Sequence, residues 1–252
     1  MARKLYEENY IRAIAEAIRA KNGTTKTYTT AQMAGAISAI SASGGTEGEA
    51  LRLMITDRDS LTSLTIPSGA TKIDQYAFYA LSNLVLNELP ATLTAICAYA
   101  FYDCKRVTFS SLPSGLTTLD TCAFYGCTKV TFSSLPSGVT SIGSNCFYGC
   151  EGITMSELPQ GVTKINSSAF ARCTGITTMT IPSSVTTIGA SAFSACTNLT
   201  RVIFKGTPSS IPTTAFNGCS SLTEIKVPWA SGAVSGAPWG ATNATITYNY
   251  SA

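Results

Sequence analysis

The chain has 252 residues, 45% of them apolar and only 12% charged, with a formal net charge of +3. So mild a balance, with no Lys/Arg cluster, gives no basis for nucleic-acid binding, and no apolar run approaches the roughly 20 residues that span a bilayer. The chain contains no histidine, which removes Ser-His-Asp and Cys-His nucleophile systems and every histidine-containing metal site. The expectation is a non-enzymatic protein with neither cofactor nor metal.

Residues 1–42 follow a helical period. Ile11, Ile14, Ala15 and Ile18 recur at i, i+3, i+4 and i+7, one apolar stripe. Asn22-Gly23 suits the left-handed residue that ends a helix. Thr29 with Gln32 reads as a capping box, opening a second helix whose apolar face is Met33, Ile37 and Ile40. Two short helices with narrow stripes bury themselves poorly, so the segment is expected to form a hairpin for attachment or oligomerisation. Met1 to Lys4 leads into Leu5-Tyr6-Glu7-Glu8 rather than an apolar run, so no secretory signal is expected. Residues 43–50 read as a flexible linker. Leu51 to Ile55 alternates like an opening strand, and residues 229–252 read as a C-terminal cap with a final strand.

Residues 51–228 are repetitive. Phenylalanine falls at 78, 101, 124, 147, 170, 193 and 216, always 23 residues apart. Three positions on come Leu81 and then Cys104, Cys127, Cys150, Cys173, Cys196 and Cys219; Ile73, Ile96, Leu119, Ile142, Ile165, Ile188 and Ile211 form an aliphatic column. Such phase over a 23-residue period predicts a solenoid of about seven to eight stacked units. Each unit offers a strand, a bend at a proline column that starts with Pro67 and is interrupted by Lys205, a second extended piece, and a tight turn or short helical turn at the Phe. Val107-Thr-Phe-Ser-Ser-Leu and its copies at 130 and 153 place the middle apolar residue one position earlier than Ile176-Thr-Thr-Met-Thr-Ile does. A bulge or changed side-chain direction is expected in those central repeats.

The columns also nominate sites. The cysteine column reads as a ladder of buried thiols. The alternatives are a disulfide between coils, for which parallel Cβ vectors are badly placed, or a metal held by Cys122, Cys127, Cys146 and Cys150. Tyr79, Tyr102, Tyr125 and Tyr148 follow the Phe in consecutive repeats, with Tyr76 and Tyr99 nearby. They form an aromatic stripe fitted to sugar or protein contact, or to packing within the molecule or against another subunit. A threonine column that includes Thr108, Thr131 and Thr154 suits exposed strand positions, or alternatively a hydroxyl-rich glycan surface. Acid pairs such as Glu151 with Glu157, or Asp103 with Asp120, arise readily by chance on a repeat array. Asp57 and Asp59 lack the further ligands of a calcium loop.

Ile181-Pro-Ser-Ser-Val-Thr-Thr-Ile-Gly-Ala-Ser-Ala-Phe-Ser-Ala-Cys196 resembles the BspA-like leucine-rich repeats throughout. That resemblance implies an α/β fold built on a curved right-handed leucine-rich-repeat solenoid used for binding, often in bacterial surface adhesins. Two flanks resemble phage and prophage tail proteins: Tyr10 to Thr25 with Tyr28 to Ala34, and Val227 to Ala230 with Gly236 to Tyr248. They imply a virion component, assembled in the host cytoplasm, that joins other tail proteins through residues 1–42 and presents the solenoid to a glycan or protein on the host surface. Tail architecture implies a homo-oligomer, a trimer above others. The alternative is an adhesin or protein-interaction module at the bacterial cell surface.

Overall fold

In a computed structural model, which describes residues 62–251 apart from residue 64, each 23-residue unit makes one coil. The predicted N-terminal helices with Ile11, Ile14, Ile18, Met33 and Ile37, the linker and the strand at 51–55 lie outside the described residues.

Two parallel sheets run along the stack. The first contains β1 (Lys72–Ile73), β2 (Ala95–Ile96), β3 (Thr118–Leu119), β4 (Ser141–Ile142), β5 (Lys164–Ile165) and β7 (Thr187–Ile188), in that order. The second contains β6 (Thr178–Ile181), β8 (Arg201–Phe204), β9 (Glu224–Lys226) and β10 (Thr245–Thr247), each beside the next. Ile73 pairs with Ile96 and Met179 with Val202, so over most of the stack equivalent residues meet their copies on the next coil. The short strands follow from the repeat, which leaves few residues between one corner and the next.

In-register stacking turns each sequence column into a row in the core. The Phe rings from 78 to 216 are all fully buried, with adjacent centroids 5.0 Å apart at Phe78–Phe101 and 5.8 Å at Phe124–Phe147. Their planes lie within 20° of parallel throughout. Trp239, 23 residues after Phe216, is fully buried but stands outside the row of Phe rings, which ends at Phe216. Its carbonyl accepts the Phe216 N–H at 3.0 Å, and its ring meets Trp229 and Phe204 to close the core at the C-terminal end.

No helix occurs among the described residues, so the turn-or-helix alternative at the Phe resolves to turns. In one coil, the N–H groups of Ala123, Tyr125 and Cys127 donate to the carbonyls of Asp120, Cys122 and Phe124. These are three linked turns, each three residues from donor to acceptor. The chain takes positive φ on both sides of the ring, at Cys122 (54°) and Gly126 (71°), and in the coil before at Tyr99 (59°) and Asp103 (56°). Non-glycine residues resist that region. The neighbouring coil holds them there: the N–H groups of Cys122, Phe124 and Gly126 donate to Ser144, Cys146 and Tyr148 at 2.7–2.8 Å. A helix would have spent those groups internally.

The central repeats depart as the pattern suggests. Phe109, Phe132 and Met155 are buried, and Phe109 sits edge-on to Phe101 at 5.3 Å and Phe124 at 6.2 Å. The Thr131 N–H donates to Phe109 rather than to Thr108, a 22-residue step instead of 23, and the second sheet begins only at β6. Turning an aromatic ring inward one position early costs the ladder its register there. Pro182 directly follows β6, as the proline column predicts, whereas Pro90, Pro113, Pro136 and Pro159 follow no strand. Where Lys205 replaces proline, its N–H donates to Ile181 at 2.9 Å.

Replacing Phe147 by alanine removes one ring from mid-stack, and the loss is expected to be about 3–5 kcal/mol. Chemical denaturation of the two proteins measures it.

Candidate binding surface

The cysteine column forms a ladder with a chemical purpose. Each thiol from Cys104 to Cys219 donates to the Phe carbonyl of the preceding coil, from Cys104 Sγ to Phe78 O at 2.9 Å through Cys219 Sγ to Phe193 O at 3.0 Å. None of the nine cysteines forms a disulfide. Burial pushes the Cys127, Cys146 and Cys150 thiols well up, so they remain protonated donors rather than nucleophiles. Among the described residues no group of three or more His, Cys, Asp or Glu is placed to hold a metal.

The tyrosines form one continuous face at the turn corner. Tyr79, Tyr102, Tyr125 and Tyr148 stack at centroid separations of 4.8, 4.5 and 4.6 Å, with planes 19°, 8° and 2° apart. A second rank, Tyr76 on Tyr99 at 5.0 Å, packs edge-on beside it, Tyr76 lying 5.6 Å from Tyr79. Cys122 continues that rank and hydrogen-bonds Tyr99. The Arg172 guanidinium lies 5.9 Å from the Tyr148 ring centre, a cation–π contact. All six rings are half-buried. The Asp103 side chain reaches over Gly126, where an added Cβ would collide with it.

This geometry limits the chemistry. Sugars and prolines dock on ring faces, but here neighbouring rings and Arg172 already cover those faces along the row. The outer surface offers ring edges and phenol oxygens at the stacking interval. Partial burial, with Tyr125 and Asp103 beside it, pushes the Tyr102 phenol up to about 12. The face is a flat, pre-ordered set of apolar edges with neutral hydroxyls, the composition of protein–protein contact surfaces.

The other sequence candidates lie elsewhere. Thr108, Thr131 and Thr154 are exposed on the extended stretches that precede the second sheet, not on strands as expected, because those are the repeats whose register is displaced. The Thr108 hydroxyl is bonded to Asn87 Oδ1 at 2.6 Å. Farther along the column Thr200 Oγ1 donates to the Thr177 carbonyl at 2.9 Å, a ladder rung rather than a free hydroxyl. Glu151 and Glu157 are both exposed, and Asp120 turns its Oδ1 onto the Thr121 N–H at 2.6 Å. A second threonine ladder passed unnoticed in the sequence: the hydroxyls of Thr94, Thr117, Thr163 and Thr186 each donate to the threonine carbonyl 23 residues earlier.

Parallel coils stacked on leucine-type, phenylalanine and cysteine columns define a leucine-rich-repeat solenoid. The sequence matches the BspA type leucine rich repeat region, in six copies over residues 56–176 and 140–234. The chain belongs to that family. None of the curated proteins matches it. Among solved structures it is similar to a leucine rich cell surface protein from Faecalibacterium prausnitzii, with 22% identity over 67% of each chain and a TM-score of 0.42. It is also similar to a leucine-rich repeat protein from Bacteroides ovatus, with 21% identity over 69% of this chain and 62% of that one and a TM-score of 0.43. A third is the pneumococcal vaccine antigen PcpA, with 15% identity, 80% of this chain against 45% of that one and a TM-score of 0.45.

The raised Tyr102 phenol makes stability depend on alkali. The unfolded chain loses this proton near pH 10 while the folded one keeps it to about 12, so above pH 10 the unfolded state binds fewer protons. The stability contributed is whole below pH 10 and falls as pH rises through 12. Denaturant midpoints measured from pH 9 upward are expected to fall less steeply for Tyr102→Phe.

Proposed function

We propose that this chain is a non-enzymatic recognition module of a bacterial surface protein, and that its tyrosine face docks a protein on a partner cell. The observation that supports this is the six-ring face. Its rings are held in register by the coils beneath, half-exposed, and closed to sugar stacking along their length. Tyrosines so fixed lose little conformational entropy on binding, and a flat patch of ring edges and hydroxyls suits the centre of a protein interface. The bacterial surface setting is what the family implies.

The double variant Tyr102→Ser/Tyr125→Ser, labelled and applied to intact cells, is expected to bind about tenfold or more weakly than the parent while its thermal midpoint stays close. Unchanged cell binding at matched stability removes the tyrosine face from the proposal.

A second reading makes the same solenoid a phage or prophage tail component, a homotrimer attached through residues 1–42. It rests on the likeness of residues 10–34 and 227–248 to tail proteins. On this reading, deleting residues 1–42 abolishes incorporation into particles, measured by immunoblot of purified virions. Incorporation that survives the deletion refutes it.

A further inference from the structure

The first sheet has one breach. In most coils the threonine before the sheet donates both its N–H and its hydroxyl to the threonine carbonyl one coil earlier: Thr94 to Thr71, Thr117 to Thr94, Thr163 to Thr140, Thr186 to Thr163. Thr140 makes neither bond among the described residues, and β3 and β4 keep one paired position, Leu119 with Ile142, where most neighbouring pairs keep two. The Thr117 carbonyl and the Thr140 N–H and hydroxyl are thereby released from the ladder.

A groove of about 480 Å³ lies over that breach, lined among others by Thr117, Asp120, Thr140, Ser141, Gly143 and Asn166. Asp120, Gly143 and Asn166 are successive members of one column. Gly143 stands between a carboxylate and a carboxamide and adds no side chain to the notch they border; its backbone lies against the Asp120–Thr121 peptide, where a Cβ would come within 2.3 Å of the Asp120 carbonyl carbon. Asp120 spends Oδ1 on its own turn and keeps Oδ2 as an acceptor. Asn166 donates through Nδ2 to Ser141 Oγ at 3.2 Å and Ile142 O at 2.7 Å and keeps Oδ1. These two residues stand two coils apart, about 10 Å, which leaves room between their side chains for one pyranose ring.

We propose that this notch binds a neutral hexose residue of a glycan. Adjacent sugar hydroxyls donate to Asp120 Oδ2 and the Thr117 carbonyl while accepting from the Thr140 N–H and hydroxyl. Mixed donors and acceptors with one carboxylate match a vicinal diol, and no Lys or Arg lines the groove to favour a phosphate, sulfate or acidic sugar. Without an aromatic platform the affinity is low, with a dissociation constant of about 1 mM. The site is separate from the tyrosine face and stands or falls apart from the function proposed above.

Titration of the full chain with the methyl glycosides of mannose, galactose and N-acetylglucosamine, followed by amide NMR, tests the proposal. At least one glycoside is expected to shift the Thr121, Thr140 and Gly143 amides saturably. Asp120→Asn, which keeps the turn contact, and Thr140→Val are each expected to weaken that binding about tenfold, and Tyr102→Ser to leave it unchanged. The proposal is overturned if no glycoside moves those amides, if both site variants bind as the parent does, or if calcium chloride alone moves them and the sugars do not.

Discussion

The structure depends on one constraint: each coil must hydrogen-bond to its neighbour at the β-strand interval while presenting the same side chains in the same places. At the Phe corner this is most demanding, because the backbone turns three times within eight residues and cannot satisfy itself. Its N–H groups reach to the next coil, and its Phe carbonyl also accepts the thiol of the following coil's cysteine. Cysteine suits that position because its S–H is a donor on an otherwise apolar side chain. Serine is more polar than so buried a column favours, and valine leaves the second lone pair of the Phe carbonyl empty.

The same repetition shapes the surface. Any charge placed in a column meets its own copy about 5 Å away unless the repeat is varied, so the charged fraction of 12% is low and serine and threonine hydroxyls bridge coils instead. Near the C-terminal end charges are arranged in opposition: Arg201 meets Glu224 on the next coil, and Lys226 reaches the same carboxylate at 3.3 Å. Tyrosine is compatible with repetition because its rings attract each other when stacked in offset. A run of four is a natural product of the fold.

Much of this was legible in the sequence. The Phe, Cys and aliphatic columns stood in one phase, which fixed coil length, core membership and the thiol ladder, and Phe109, Phe132 and Met155 announced the register change by standing one place early. Other features left little trace. Positive φ at Tyr99, Cys122 and Ser191 is imposed by the neighbouring coil, against local preference, and only some coils mark such positions with a residue that accepts it, as Gly126, Gly149, Asp103 and Asn145 do. Trp239 keeps the 23-residue spacing from Phe216 but packs on Phe204 and Trp229 instead of on the Phe row, in a segment whose other repeat marks had faded. The tyrosine row was readable, but its function changed with one geometric fact that periodicity does not carry: the rings lie on one another, so their faces are used within the molecule. The opening at Thr140 was hidden because its sequence, Val139-Thr140-Ser141-Ile142, is that of an ordinary coil.

That last contrast separates what a repeat does for stability from what it can do for recognition. Where every coil is alike, each polar group finds its partner one coil away and nothing is left over for another molecule. A ligand must therefore bind where the array is uneven: where four coils carry tyrosine and the next carries Ala171 and Arg172, or where one coil carries glycine between an aspartate and an asparagine. The uniform columns hold these irregularities still, since a side chain seated between copies of its own backbone has few other places to go. Recognition in such a molecule is written in its departures from the period, and the period supplies the rigidity that makes the departures specific.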